Sequence, residues 1–514
     1  MAGHKEQHSL PHSAASDRAS TVAKRHQAPG EMANPRGTLL FLGATCVVGA
    51  VLRFYRLGDW SFSGEEVHTL RDSLTTVWLS GPKPLLFFLN HHLIDSWLGL
   101  DEFTLRLLPA LFGVLAIPAI YVLTAGIVNR RVALLSAVLV SLSPWHIYWS
   151  QLARYYSLVF LASVLFVLSF YRAVKNSDLR WLLVSVLSLL VGSLAHPTSA
   201  LLLGGLGLWT IFHFAPHWRG GQAMPRAIVA AIATLIGLAV LASAYFTPVL
   251  LQWYRTVPTA GHRGPLLLMS YFDALTAPLL LFGAAGLFWM WLGRYKSLAA
   301  ALTAAAAVPI GFLVLASYLV PVYNSYLYAT APVFFLGAGY FFDRVAQESS
   351  FRFDGKLVAA TCLVVVLSIW APLIWSHYQD GSRPDYRTAA LYLSDEARIG
   401  DPVVSDAWWV TRHYLSTRTV KPLQRDPAEL EGALRNARGA DTEALWIVAV
   451  KRLRGGFNDQ DLGQATSWIR ANCRPALTIS SARLDYKYTE TQVYRCATHR
   501  PATNAMSLRT GGAT

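Results

Sequence analysis

Residues 129–155 read NRRVALLSAVLVSLSPWHIYWSQLARY. Two arginines precede eighteen residues free of Asp, Glu, Lys and Arg, Val132 to Trp149, and Arg154 follows. At 1.5 Å of rise per residue that run extends about 27 Å, close to the roughly 30 Å of hydrocarbon in a bilayer. Lipid offers no partners to backbone N–H and C=O groups, so such a run is read as a transmembrane α-helix.

The same pattern recurs along the chain. Of its 514 residues 54% are hydrophobic and 14% charged, too apolar for a soluble enzyme of this length. The 17 Trp and 22 Tyr suit aromatic belts at the two interfaces. A net charge of +14 would fit nucleic-acid binding, but no recognition module is present. The basic residues fall mostly in short connections: Arg130–Arg131, Arg172/Lys175/Arg180, Arg219/Arg226 and Arg294/Lys296. That bias orients membrane helices, and nucleic acid is excluded as a partner.

Orienting the chain by this bias gives about eleven transmembrane helices. Residues 1–36 form a polar, disordered cytoplasmic tail without a signal-peptide core. The first span covers about Thr38 to Leu52, the second Leu105 to Val128, the third Val132 to Trp149 and the last Leu357 to Trp375. Residues 53–104 make a long first outer loop inside a membrane domain of residues 37–375. Its apolar segment Pro84 to Leu100, with Asn90, His91, His92 and Asp95, is an interfacial helix, because a span there would invert every later connection. Residues 376–514 hold 15 of the 30 acidic residues and form a small extracytoplasmic α/β domain. Helices are expected over Arg387–Ala397 and Asp461–Ala471, and strands over Asp401–Asp406, Ala444–Val450 and Gln492–Cys496. Cys473 and Cys496 fall there together, on the oxidising side, as a disulfide or as two buried thiols. Cys46 and Cys362 sit inside spans and read as packing residues.

Several outer residues break the basic-inside trend. Glu65, Glu66, Lys83, Arg154, His196, His262 and Arg263 come from separate outer connections. Adjacent carboxylates raise one another's pKa, which suits a general base. They also suit the first turn of a helix capped by Ser63. Lys83 can snorkel, Arg154 can meet lipid headgroups and His196 can end a helix before Pro197. Arg106 reads as a structural partner. Together, the cations and carboxylates fit a site that holds an anionic phosphate and activates a hydroxyl.

Taken in order, these motifs resemble the bacterial C-type glycosyltransferases related to protein O-mannosyltransferases and the lipid A aminoarabinose transferase, a glycosyltransferase family 39-like group. The resemblance runs from Leu39 to Tyr340. An Asp-Glu motif corresponds to Glu65-Glu66, a Lys/His-Pro-Pro-Leu element to Pro82 through Leu86, and "Glu-Phe-x-x-Arg-Leu-x-Pro-Ala-Leu-Phe-Gly" to Glu102 through Gly113. Ser143 through Tyr156, His196 and the stretch from Asp385 follow. The departures are Glu65 for the usual aspartate, Leu152 for an acid, and Ser325-Tyr326-Leu327 where the family often has Arg-Tyr-Leu.

The resemblance implies an enzyme taking a sugar from a polyprenyl-phosphate donor to an acceptor hydroxyl of a glycan, lipid or protein, with inversion. It places the protein in a bacterial cytoplasmic (inner) membrane. Glu65 would be the base, with Glu66 orienting the acceptor or tuning Glu65. Lys83, Arg154, Tyr155, His196, His262 and Arg263 would bind the donor phosphate. No cofactor is certain; a divalent cation on Glu65/Glu66 is allowed, though two carboxylates make a poor cage. The alternatives are a transporter or flippase of lipid-linked saccharides, which would show repeats and mid-span charges, and a non-catalytic scaffold displaying the tail domain.

Overall fold

The computed structural model describes residues 35–79, 83–219, 229, 261–348, 354–424, 426–440, 442–452, 463–481 and 489–498. The expected seventh span, almost all of the polar tail and Pro82 lie outside them. The chain is a multi-pass membrane protein followed by a small α/β domain.

The membrane part runs through α1 (Pro35–Phe54), α2 (Gly64–Thr75), α3 (Pro84–Leu89), α4 (Thr104–Ile127), α5 (Arg130–Leu142), α6 (Pro144–Ser150), α7 (Tyr156–Asn176), α8 (Leu179–Ala195), α9 (Leu201–Arg219), α10 (Pro265–Leu275), α11 (Ala277–Leu292), α12 (Lys296–Leu319), α13 (Ala331–Gln347) and α14 (Gly355–Asp380). Six helices among the described residues are long and apolar enough to cross a membrane, or eight when each bent pair counts as one span. The expected eleven are therefore not reached there. Two reasons are physical: α8 has only 17 residues, and α13, also 17, carries Asp343 and Arg344.

The expected third span is one of the bent pairs. α5 and α6 meet at 60°, because Pro144 has no N–H with which to continue the ladder. Arg53, wholly buried at the end of α1, donates from Nη2 to the Val140 carbonyl (3.0 Å) and from Nη1 to that of Ser141 (3.1 Å). It thus satisfies acceptors at the C-terminus of α5. α7 is the central helix, with 83% of its apolar window buried, against 22% for α1 and α14 at the edge. α11 and α13 cross at glycines, and a Cβ on Gly286 would strike the Gly337 carbonyl.

Connections sort onto two ends of the bundle. At one, Asn129 Nδ2 donates to Asp343 Oδ2 (3.0 Å) and the Tyr295 hydroxyl to the Val128 carbonyl (3.1 Å), gathering the basic turns. The other end gathers residues 55–63, 151–155, His196 and Tyr326. Residues Pro84 to Leu98 form α3, a π-helical segment Asn90–Asp95 and a last turn Ser96–Leu98. This segment is not among the candidate spans.

The C-terminal domain contains α15 (Tyr386–Glu396), β1 (Val403–Ser405), α16 (Trp408–Tyr414), β2 (Val420–Pro422), α17 (Pro427–Gly439), β3 (Ala444–Arg452), α18 (Gly463–Asn472), β4 (Arg474–Ser481) and β5 (Thr489–Ala497). Its sheet has the order β2-β1-β3-β5-β4, parallel in β2-β1-β3 and antiparallel beyond. Alternation along β3 sends Trp446 and Val448 to a core with α15 and α16, and Leu445, Ile447 and Ala449 to one with α17 and α18. Cys473, after α18, is disulfide-bonded to Cys496 in β5.

Candidate active site

α2 starts at the acidic pair Glu65-Glu66 and sends its two carboxylates opposite ways. Glu66 is fully buried. Its Oε1 accepts from Arg106 Nε (2.8 Å) and Ala153 N (2.9 Å). Oε2 accepts from Ser63 N (2.9 Å), Arg383 Nη1 (3.0 Å) and Arg106 Nη2 (3.2 Å). Burial alone would raise this carboxyl's pKa; the two guanidiniums and the hydrogen bonds outweigh it and hold it at about 2. Arg106 spends its remaining donors on the carbonyls of Leu57, Trp60 and Ser61. Glu66 is thus a buried anion that ties residues 57–63 to Ala153 and Arg383, and of its two expected roles this burial suits the tuning of Glu65 rather than contact with an acceptor.

Glu65, one residue earlier on the helix, has 51% of its side chain exposed. Its Oε2 lies 3.2 Å from Arg154 Nε, an ion pair by distance but out of line for a hydrogen bond. Arg154 donates from Nη2 to the Tyr155 hydroxyl (2.9 Å) and from Nη1 to Thr69 Oγ1 (3.3 Å), and its guanidinium lies 4.7 Å from the Tyr155 ring centre. Burial would lower its pKa, but Tyr155 and Glu65 raise it, so its charge is fixed.

Lys83 Nζ approaches the rings of Tyr155 (5.3 Å) and Tyr326 (5.8 Å). The residue stands at φ 63°, a left-handed conformation that costs a side-chain-bearing residue about 1–2 kcal/mol, just before helix-starting Pro84. Burial pushes the Tyr155 hydroxyl's pKa up, while Arg154 and Lys83 outweigh burial and bring it down. His196 closes the group, its ring 5.0 Å from Tyr155 and 4.8 Å from Tyr326. Burial, then Lys83 and Arg154, keep its imidazole neutral. Its Nδ1 accepts from Thr198 N (3.3 Å), and its buried Nε2 has no partner.

The structure therefore brings Glu65, Lys83, Arg154, Tyr155 and His196 together at one end of the bundle. His262 pairs backbone to backbone with Val322, and exposed Arg263 donates to the Tyr318 carbonyl (3.2 Å). The departures from the family pattern also have places. Leu152 is buried in the apolar core, and Ser325 donates to the Tyr156 hydroxyl (2.9 Å). Glu66, spent on five N–H donors, cannot share a cation with Glu65. Among the described residues no three His, Cys, Asp or Glu side chains converge. The acidic pair does not fit a divalent ion.

Two residues of the site escaped the sequence reading. Gln151 donates from Nε2 to the carbonyls of Leu52, Arg53 and Tyr55, and its Oε1 meets His377 Nε2 (2.7 Å), tying α1 to α14. Arg383 follows Gly381, whose φ of 69° turns the chain out of α14 beneath Trp60. Arg383 was findable, since the expected topology puts this arginine outside, next to the end of a span, as it does Lys83 and Arg154.

Residues 82–250 match the family described as dolichyl-phosphate-mannose-protein mannosyltransferase. No curated protein matches the chain in sequence. Among solved structures, ArnT from Cupriavidus metallidurans bound to undecaprenyl phosphate superposes with a TM-score of 0.51 at 13% identity, over 88% of this chain and 97% of ArnT. The chain has the C-type glycosyltransferase fold. The Archaeoglobus fulgidus oligosaccharyltransferase tethered to an acceptor peptide shares that fold, with a TM-score of 0.55 at 13% identity over 81% of this chain and 69% of that one. The same organism's AglB, in complex with an inhibitory peptide and a dolichol-phosphate, gives 0.53 at 14% identity over 80% and 69%. At such identities the likeness concerns the fold, and the chemistry of this chain rests on its own residues.

Proposed function

We propose that the protein transfers a sugar from a polyprenyl-phosphate donor to an acceptor hydroxyl at the outer face of a bacterial cytoplasmic membrane. The observation that carries this reading is the division of labour in the acidic pair: Glu66 is sealed by Arg106 and Arg383, while Glu65 stays open beside Arg154, Lys83 and Tyr155. An open carboxylate next to fixed cations fits a base beside an anionic leaving group. Solved structures of the same fold in complex with undecaprenyl phosphate and with dolichol-phosphate support a lipid carrier.

Glu65 takes the acceptor's hydroxyl proton as that oxygen attacks the anomeric carbon. The bond from that carbon to the phosphate oxygen breaks, and the polyprenyl phosphate departs with the electron pair. Lys83, Arg154 and the Tyr155 hydroxyl stabilise the charge that grows on it, and His196 Nε2, protonated because Nδ1 accepts, offers a further donor. The single displacement inverts the anomeric carbon. Purified protein given polyprenyl-phosphate sugars of known anomeric configuration tests this: proton NMR of the product should show the opposite configuration, and retention would overturn the mechanism.

A further inference from the structure

Beside Glu65 the C-terminal domain presents an aromatic face that the donor group leaves unused. α16 lies against α2: the Trp409 indole N–H donates to the Gly64 carbonyl (3.4 Å), and its ring stacks on His68 with centroids 5.4 Å apart and planes at 29°. Trp408 meets Trp409 edge-on at 6.2 Å. His68 follows Glu65 by three residues, so both share one face of the helix. Trp408, Trp409 and His68 are half-buried against the domain, leaving part of each ring in water. Burial, then Arg71, lowers the His68 pKa and keeps the ring uncharged. One turn on, Asp72 and exposed Arg71 put a carboxylate and a guanidinium at the rim.

Flat rings edged by a carboxylate and a guanidinium match the two kinds of surface on a sugar, its C–H face and its hydroxyls. A serine or threonine side chain has no such face. An acyl chain would need an apolar path to the spans, yet both indoles of this platform belong to the acid-rich C-terminal domain. We propose that Trp409, Trp408 and His68 form the acceptor platform and that the acceptor is a carbohydrate, its ring stacked on the indoles with one hydroxyl turned to Glu65. This rests on the glycosyl-transfer reading above.

Saturation-transfer difference NMR of the full chain in nanodiscs with a panel of methyl pyranosides and furanosides tests binding without turnover. At least one glycoside should bind the wild type. Trp409→Ala and His68→Ala should each weaken it about tenfold, the size expected for one lost aromatic contact. Trp409→Phe and His68→Phe should stay within about threefold of wild type, separating loss of stacking from misfolding. Trp375→Ala, which removes an exposed ring from α14, should change nothing. Equal binding by Trp409→Ala and wild type would overturn the proposal, as would binding of Ser/Thr peptides with no glycoside bound. Trp409-dependent glycoside binding by a protein inert toward every polyprenyl-phosphate sugar would sustain the platform and sink the transfer reading instead.

Discussion

Arg383 Nη1 stands 3.0 Å from Glu66 Oε2, although 317 residues separate them in sequence. Arg383 belongs to the segment that leaves α14 for the C-terminal domain, and Glu66 is the neighbour of the proposed base. The same guanidinium donates to the Gln151 carbonyl (3.3 Å). The seating of the C-terminal domain and the shape of the segment between α1 and α2 are therefore one structural event.

Arg383→Ala removes one of the two charges on a buried carboxylate. A loss of about 3–5 kcal/mol is the usual cost of breaking such a pair. Thermal unfolding in detergent should show it, and Arg383→Lys should recover only part, because an ammonium cannot reach Glu66, Gly381 and Gln151 with one fork. An unchanged Tm for Arg383→Ala would remove this link from the account.

Glu66 ties stability to acid in a definite direction. Its carboxyl lies at about 2 in the folded protein against an ordinary 4.5, so the unfolded chain binds this proton more readily. The stabilisation is complete above about pH 4.5 and is lost as the pH falls toward 2. The Tm of the wild type should fall through that window. Glu66→Gln should be less stable at neutral pH and have a shallower acid limb; parallel limbs would contradict the assignment.

Arg154→Ala and Lys83→Met each remove a cation from the donor phosphate; Arg154→Ala also removes the ion-pair partner of Glu65. Each should cost about 10²–10³ in kcat, as the loss of one preorganised donor does in other enzymes. Arg154→Lys, which keeps a charge but loses the bonds to Tyr155 and Thr69, should fall between. Full activity in Lys83→Met would take Lys83 out of the site.

Much of this was legible in the chain because membranes impose simple rules. Hydropathy found the helices, and the break at Pro144 hid only the bend. The expected topology singled out Lys83, Arg154 and His196 as exceptions to the basic-inside bias, and the structure groups them with Tyr155. It also named His262 and Arg263, which the structure places at the bridge to Val322 and against the Tyr318 carbonyl. Glu65 and Glu66 looked equivalent in the sequence: consecutive helix residues point about 100° apart, and only the packed structure tells which faces Arg106. In the soluble domain α16, β2, α17 and β4 went unread. β2 and the first strand are three residues long, too short to carry a period, and the burial of β4 is irregular.

Topology has its own check. Arg130 is exposed at the end of the bundle opposite Glu65. In whole cells Arg130→Cys, in a variant without the native Cys46 and Cys362, should resist an impermeant thiol reagent until the membrane is opened. Labelling of sealed cells would turn Glu65 and Arg154 toward the cytoplasm.

The central claim is that Glu65 is the base. Membranes carrying wild type or Glu65→Gln, at matched amounts and matched Tm, are given radiolabelled polyprenyl-phosphate sugars, and label transferred to acceptor is counted. A loss of about 10²–10⁴ in rate with Glu65→Gln is the predicted result; equal transfer by the two proteins would contradict it.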